Sequence, residues 1–218
     1  SVMTSPRGVR PHEPLRGRGE AAPLVEVLEQ HCAPRTLALC MERGLLHRAV
    51  HVWLCVPRTG AVLMRKWAPD ATKHPGSWGP TCHSEVRCYG GGGDGHASEV
   101  SAQAAERSLQ EQLGVDASQV GELEHWFSDR ASDGMCQELI DVYVAPIEGS
   151  GLPPLELQEA EQVDWVFFAD VFDVKAGKAD NVFHMGQEYR ESMLRRARAR
   201  VVHHDVVAAF GDRGEFGR

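Results

Sequence analysis

Hydrophobic and polar residues along this chain follow two rhythms, one typical of strands and one typical of helices. Five segments are rich in β-branched and aromatic residues and predict strands: residues 48–56, 61–65, 122–127, 139–145 and 163–168. Residues 78–88 are predicted to be partly extended. No internal repeat is visible, and the order of these segments argues against a series of repeated βαβ units.

The helical rhythm is strongest at residues 99–113. Leu109 and Leu113 lie four residues apart, Ala102 and Ala105 continue the same apolar stripe, and Gly114 follows where a helix-capping glycine belongs. Weaker patterns predict helices at residues 23–32, from residue 170, and at about residues 186–200. Strands around one central helix, with a long helix after them, predict an α/β or α+β sandwich.

Two segments differ in composition from the rest of the chain. Residues 1–22 are rich in arginine, proline and glycine, cannot bury much apolar surface, and predict a flexible tail. Residues 89–95 are glycine-rich and predict a flexible loop. We expect residues 23–210 to form a single domain.

Charge and composition narrow the classes of function. The 218 residues include 23 lysines and arginines and 31 aspartates and glutamates, a formal charge of −8 that disfavours nucleic acid as the main partner. No apolar run is long enough to cross a bilayer, so we expect no membrane partner. A local basic patch could still hold a small anionic substrate.

Six cysteines are scattered along the chain without a C-x-x-C pair. This spacing argues against a zinc ribbon or a thioredoxin-like site and predicts reduced thiols. We therefore expect an intracellular, cytoplasmic protein, while the arginine-rich first residues leave organelle targeting open. The sequence does not predict the oligomeric state.

The predicted helix at residues 99–113 also carries candidate chemistry. Ser108, Glu111 and Gln112 are spaced to share one helix face, and Arg107 lies four residues before Glu111. Such a face could present oxygen ligands to a divalent cation. The alternative is a solvated helix face with one ion pair.

Two further candidates lie on predicted strands. His47 and His51 are four residues apart and share a strand face if the strand reaches back to His47, so they are either metal ligands or structural histidines. Glu138 precedes the segment 139–145, where it is either a second metal ligand or base, or a surface residue.

The spacing around this helix resembles the box of the Nudix superfamily, written G-x5-E-x7-R-E-U-x-E-E-x-G-U. Ser108 and Gln112 stand where that family has metal-binding glutamates. The residues that fit the spacing are Gly93, Glu99, Arg107, Leu109, Glu111, Gly114 and Val115. Within the superfamily the chain looks most like the branch of type I isopentenyl-diphosphate isomerase and its hydrolase-like relatives, through segments 42–50, 74–78, 104–107, 132–134 and 140–141.

The resemblance implies a Nudix-type α/β/α sandwich with a mixed sheet. It also implies an enzyme that hydrolyses a small-molecule diphosphate linked to an organic moiety, with Mg²⁺ or Mn²⁺ as cofactor. Glu111 would be the main metal ligand, with lesser candidates at Glu99, Gln112, Glu138 and His47. The implied catalytic residues are Glu111, Arg107 (which would hold Glu111 in place) and Glu138, and the implied substrate contacts are Lys66, Arg65 and His83.

Two other functions stay open. An isomerase would shift a double bond without releasing phosphate, and His83 stands where the isomerase family has its catalytic cysteine. A catalytically silent Nudix fold would bind a ligand without turnover, and Ser108 and Gln112 favour that alternative. A diphosphate-binding protein with little dependence on metal would indicate the silent fold.

Overall fold

The structure, a computed structural model, describes residues 22–28, 33–71, 74–89, 97–132, 136–147, 155, 160–172 and 186–201. Its centre is strand β3 (Leu46–Val56), an 11-residue segment that is buried along most of its length. Long β-branched and aromatic runs of this kind suit a strand covered on both faces. Around β3 the chain builds the larger of two sheets.

The larger sheet is mixed. In spatial order its path runs β11 (Ala160–Phe167), β4 (Ala61–Trp67), β3, β10 (Gln137–Pro146) and β9 (Glu124–Ser132). β3 and β10 are parallel, and the remaining pairs are antiparallel. Two short strands lie off this path: β5 (Trp78–Gly79) pairs with β4, and β6 (Cys82–Glu85) pairs with the first half of β3.

A smaller antiparallel sheet lies beside it, in the order β2 (Arg35–Thr36), β1 (Leu24–Val25), β7 (Arg87–Tyr89) and β8 (Ala97–Ser98). Helix α1 (Leu37–Arg43) follows β2 directly. The hydroxyl of Thr36 accepts a hydrogen bond from the backbone N–H of Leu39 at 3.4 Å, which begins the helix, and Gly44 ends it at φ 61°.

Helices cover both faces of the larger sheet. On one face, α2 (Ser101–Leu113) buries Leu109 and Leu113 against Val50, Val52 and Leu54 of β3. A 3₁₀ turn (Ala117–Gln119) follows α2. On the other face, α3 (Phe168–Phe172) and α4 (Gln187–Val201) pack over the sheet, and the apolar residues buried there include Trp53, Phe172, Tyr189 and Met193. The predicted α/β sandwich with a mixed sheet is confirmed.

The predicted strands are confirmed, each with shifted bounds, and so are the three helices after residue 98. The helix predicted for residues 23–32 is wrong where the structure describes it. Val25 and Val27 are buried on alternate residues, and the neighbouring backbone of Glu26 bonds to Val86 and Arg48. Backbone hydrogen bonds to two neighbouring segments therefore outweigh the weak helical spacing of these residues.

Two helices begin elsewhere than predicted. α2 begins at Ser101 rather than residue 99 because the backbone N–H of Glu99 donates to the carbonyl of Arg87 at 2.8 Å, which keeps Glu99 extended. α3 begins at Phe168, two residues before the predicted start. The predicted tail and most of the glycine-rich loop lie outside the described residues.

Two further observations bear on the predictions from composition. None of the helices in the described part of the chain combines the length and the hydropathy that a membrane-spanning helix needs. The five cysteines in the described part of the chain are buried, and they form no disulfide with one another.

Candidate metal centre and adjoining cavity

Four polar side chains converge on one face of the larger sheet because of strand register. His47 and His51 lie four residues apart on β3 and therefore point to the same side. Glu138 of β10 is the register partner of His47, and His83 of β6 is the register partner of His51. The sheet face they share is the one that α4 covers, because Ala49 and Trp53 of the same alternation belong to that core.

The four side chains, together with Cys136, form a buried cluster around the Glu138 carboxylate. Nε2 of His47 lies 3.5 Å from Oε1 of Glu138, and Nε2 of His83 lies 3.2 Å from Oε2. The Cys136 thiol donates to Oε1 at 3.1 Å. Two overlapping triads result, His47–Cys136–Glu138 and His51–His83–Glu138, and in each triad the ligand atoms lie within 4.8 Å of one another.

The hydrogen bond that His47 makes to the backbone indicates that this cluster suits a cation. Nδ1 of His47 lies 3.0 Å from the carbonyl oxygen of Leu45, which can only accept, so Nδ1 carries a hydrogen. In the neutral ring, Nε2 then presents a lone pair to the Glu138 carboxylate. Two facing lone pairs repel unless a proton or a metal ion lies between them.

The spacing of the cluster agrees with a metal shell. Ligands bound at 2.0–2.1 Å in a tetrahedral shell are separated by about 3.3 Å. The separations at Glu138, 3.5 and 3.2 Å, bracket that value. The residues present therefore fit a divalent metal ion.

Tyr189 of α4 supports the cluster from behind. Its hydroxyl accepts a hydrogen bond from Nε1 of Trp53 at 2.8 Å and lies 3.0 Å from Nδ1 of His51. Burial raises the pKa of Tyr189, so the phenol stays protonated. If His51 binds a metal through Nε2, its Nδ1–H donates to this hydroxyl, which fixes the ring orientation.

A second polar network lies on the opposite face, at α2. Arg107 donates to Glu99 at 2.8 Å through two nitrogens and to Glu111 at 2.9 Å. Arg87 of β7 donates to both oxygens of Glu111 at 2.9 Å. Burial alone would raise the pKa of Glu99, but hydrogen bonds from Arg107 and Arg87 and the charge of both arginines hold it below its ordinary value.

Two other polar residues of α2, Ser108 and Gln112, are bonded to backbone groups. The Ser108 hydroxyl is fully buried and donates to the carbonyl of Ala105 at 2.7 Å. The Gln112 amide donates to the carbonyl of His83 at 2.6 Å and accepts from its N–H at 3.3 Å. Cys82, the neighbour of His83, points toward α2, and burial raises the pKa of its thiol to about 12. Gln112 thus ties α2 to the strand that carries His83.

A cavity of about 710 Å³ opens beside these two networks. His83 of the cluster lines it, and so do Arg87 and Glu111 of the α2 network. Asp70 and Glu85 are its other charged lining residues in the described part of the chain. The cavity is the place where a small molecule could meet residues of both networks.

Seven of the nine predicted site residues fall into two groups. His47, His83 and Glu138 meet in the buried cluster. The residues predicted on α2 and just before it, Glu99, Arg107, Glu111 and Gln112, lie on the other face.

The remaining two predicted substrate contacts, Arg65 and Lys66, do not line the cavity. Arg65 is fully buried, with its guanidinium 3.8 Å from the centre of the Trp67 ring, and Lys66 follows it on β4. Neither is among the described residues that line the cavity.

Two cluster residues and the tyrosine behind them carried weak signals in the sequence. His51 was an open alternative, and Cys136 and Tyr189 were not predicted. Cys136 and Glu138 lie two residues apart and so fall on one strand face, a pattern visible in the sequence. Tyr189, Met193 and Ala197 recur every four residues and form the buried stripe of α4.

A mixed sheet covered on both faces by helices, with α2 held by Glu99, Arg107 and Glu111, defines the class of fold, and the chain belongs to the Nudix family. The family model of the NUDIX domain matches residues 45–185. The MutT protein from Methanosarcina mazei shares the fold, with a TM-score of 0.50 at 13% sequence identity, over 71% of this chain and 95% of that one. The predicted Nudix-type fold is confirmed.

The chain also resembles isopentenyl-diphosphate isomerases, as predicted. It is 33% identical to an isopentenyl-diphosphate Delta-isomerase of Roseobacter denitrificans over 159 residues, which cover 72% of this chain and 78% of that protein. It is 29% identical to isopentenyl-diphosphate Delta-isomerase 2 of Aromatoleum aromaticum over 125 residues, or 57% of this chain. The match spans 60% of the Aromatoleum protein's length.

Proposed function

We propose that this chain is a divalent-metal-dependent enzyme that hydrolyses a diphosphate linked to an organic moiety. The observation that carries the proposal is the buried cluster, in which Glu138 faces His47 at 3.5 Å and His83 at 3.2 Å. The facing lone pairs of His47 and Glu138 are the strongest argument that this cluster is built for a cation. We therefore assign the metal to the cluster rather than to Glu111 of α2.

The donor set favours Mn²⁺ over Mg²⁺. Imidazole and thiolate ligands suit transition metals, whereas Mg²⁺ prefers oxygen and retains water. The residues that would hold the ion are His47 and Glu138, with His51, His83 and Cys136 next to them. When bound, such an ion supplies charge neutralisation for the diphosphate and lowers the pKa of a water molecule.

The chain's own residues connect the cluster to the cavity. His83 belongs to the cluster and also lines the cavity, so it joins the buried carboxylate to the place where substrate would bind. Gln112 holds the backbone of His83 with two hydrogen bonds and so limits its movement. Arg107 and Arg87 hold Glu111 at the cavity wall.

Isomerisation of an isopentenyl-type diphosphate is the second candidate, and the identity with two isomerases favours it. Such chemistry needs one acid and one base on opposite sides of an alkene. Cys136 and Glu138 are a thiol and a carboxylate of suitable type. They are in direct contact at 3.1 Å, which leaves no room for an alkene between them, so we rank hydrolysis first.

The test measures metal content and both reactions on one preparation of the full chain. The protein is stripped with a chelator, and Mn²⁺, Mg²⁺ or Zn²⁺ is added back. Nucleotide, prenyl and vitamin diphosphates are then supplied as substrates. Colorimetric detection of released phosphate and pyrophosphate reports hydrolysis, and proton NMR of the prenyl diphosphates reports a shifted double bond. We expect phosphate release that depends on Mn²⁺.

Glu138→Gln is the decisive variant, because it keeps the shape of the side chain and removes its charge. We expect it to lose both metal and activity, while the exposed control Glu122→Gln keeps both. A shifted double bond without phosphate release would transfer the proposal to the isomerase. Metal-independent phosphate binding without turnover would indicate a silent fold. Full activity in Glu138→Gln would refute the assignment of the metal to the cluster.

A further inference from the structure

The carboxylate of Glu111 is already surrounded by positive charge. It accepts three hydrogen bonds at 2.9 Å, two from Arg87 and one from Arg107. A carboxylate offers about four lone-pair sites, so about one remains for any other partner. Two guanidinium groups at this distance also repel a cation that approaches the same oxygens.

The neighbouring positions on α2 offer no replacement ligands. The Ser108 hydroxyl is fully buried and donates to backbone, and both ends of the Gln112 amide are bonded to His83. The charges of Glu99 and Glu111 are balanced by those of Arg107 and Arg87. A metal site needs an excess of negative charge and several lone-pair ligands, whereas this network has balanced charges and about one lone-pair site left on Glu111. The metal that the fold family implies at this helix does not fit the residues present.

Arg87 has the features of a substitute for that metal. Its side chain is 30% exposed and lines the cavity. Two of its five N–H groups are used by Glu111, so others can still donate. A guanidinium pinned on one edge by a carboxylate is pre-oriented to bind an oxyanion with its other edges.

We propose that Arg87 of β7 takes the place of the metal ion at α2. Held by Glu111, it binds a phosphate group of the substrate in the cavity without a metal ion. The identity of the substrate as a diphosphate rests on the proposed function. Asp70 and Glu85 also line the cavity, so we expect the contact to be weak and to depend on salt concentration.

Binding of inorganic pyrophosphate to the full chain tests this without turnover. Isothermal titration is carried out in EDTA, so that no divalent ion contributes. We expect the wild type to bind, Arg87→Gln to bind at least about tenfold more weakly, and the exposed control Arg58→Gln to bind like the wild type. Circular dichroism establishes that each variant is folded.

Glu111→Gln tests whether Glu111 is the partner of Arg87 or a metal ligand, because the two roles predict opposite changes in pyrophosphate binding. In this variant the amide oxygen can still accept a hydrogen bond from Arg87, but the competing negative charge is gone, so pyrophosphate binding in EDTA strengthens if Arg87 binds the phosphate. If Glu111 is a metal ligand, the variant instead weakens binding that is seen only with Mn²⁺. The second pattern, or no binding by the wild type in EDTA, would overturn the proposal.

The presence or absence of metal keeps this test distinct from that of the proposed function. Pyrophosphate binding in EDTA reports the contact with Arg87, whereas hydrolysis with added Mn²⁺ reports the buried cluster around Glu138. Absence of any hydrolysis, with binding through Arg87 retained, would refute the proposed reaction alone.

Discussion

The hydroxyl of Tyr189 offers a sharp test of how the cluster is held in place. Tyr189→Phe removes one oxygen and keeps the ring in the core. That oxygen accepts from Nε1 of Trp53 at 2.8 Å and contacts Nδ1 of His51 at 3.0 Å. All three residues are fully buried, so water cannot easily replace the lost partner.

Two costs follow from this geometry. The indole N–H of Trp53 becomes a buried donor without an acceptor, at about 1–3 kcal/mol, and the lost bond to His51 adds about 1 kcal/mol. We therefore expect the free energy of unfolding of the metal-free protein to fall by about 2–4 kcal/mol. Because the orientation of His51 is no longer fixed, we also expect metal affinity to fall by about 10–100-fold.

Urea denaturation followed by circular dichroism measures the first effect, and competition for Mn²⁺ against a fluorescent chelator measures the second. Tyr143→Phe is the matched control. Its hydroxyl bonds to the part-buried Ser101 hydroxyl at 2.9 Å, on the face of the sheet that α2 covers and away from the cluster. We expect this control to lose about 1 kcal/mol or less of stability and no metal affinity.

The outcomes distinguish a hydroxyl of Tyr189 that orients His51 from one that only stabilises the core. A less stable Tyr189→Phe variant with wild-type metal affinity would show that the hydroxyl stabilises the core without orienting His51. Wild-type stability and affinity together would refute the hydrogen-bond geometry itself. A drop in affinity in the Tyr143→Phe control would show that the assay reports general loosening.

Three other predictions concern stability and reactivity. The pKa of Glu99 is lowered in the folded protein, so its contribution to stability is present above the pKa that Glu99 has in the unfolded chain and is lost as pH falls. In acid denaturation we therefore expect the free energy of unfolding of Glu99→Gln to fall less steeply below about pH 4.5 than that of the wild type. The exposed control Glu122→Gln should behave like the wild type. Burial raises the pKa of Cys82 to about 12, so iodoacetamide at pH 8 should leave this thiol unmodified in the folded protein and label it in urea. Detection of labelled Cys82 in the folded protein by mass spectrometry would contradict this prediction. Gly114 ends α2 at φ 68°, so Gly114→Ala should lower the free energy of unfolding by about 1–2 kcal/mol in urea denaturation. A Cβ added at Gly186 would meet no atom within 4 Å, so Gly186→Ala should leave stability unchanged. Equal effects of the two substitutions would contradict the role of Gly114 as a helix cap.

Much of the fold was predictable because helices and strands follow from the local periodicity of apolar residues. The apolar stripe of Leu109 and Leu113, followed by Gly114, predicted α2 and its end correctly. The β-branched run through β3 predicted the central strand. The failure at residues 23–32 has the opposite cause, since that segment becomes a strand through the partners it meets.

The site was predictable only in part. The pairing of Arg107 with Glu111 follows from helical spacing, and the structure shows it at 2.9 Å. The second guanidinium on Glu111 comes from Arg87, which is 24 residues away along the chain and arrives through the smaller sheet. No local pattern predicts such a contact.

The sequence by itself therefore determined which segments are helices and strands, which faces of them are apolar, and which family they resemble. Only the tertiary structure decided that His47, His83 and Glu138 meet, because their contact depends on the register of β3 with β10 and β6. It likewise decided that Tyr189 of α4 lies behind His51. The physical reason is that periodicity reports how each residue is buried, whereas a site depends on which distant strands pair and with what register.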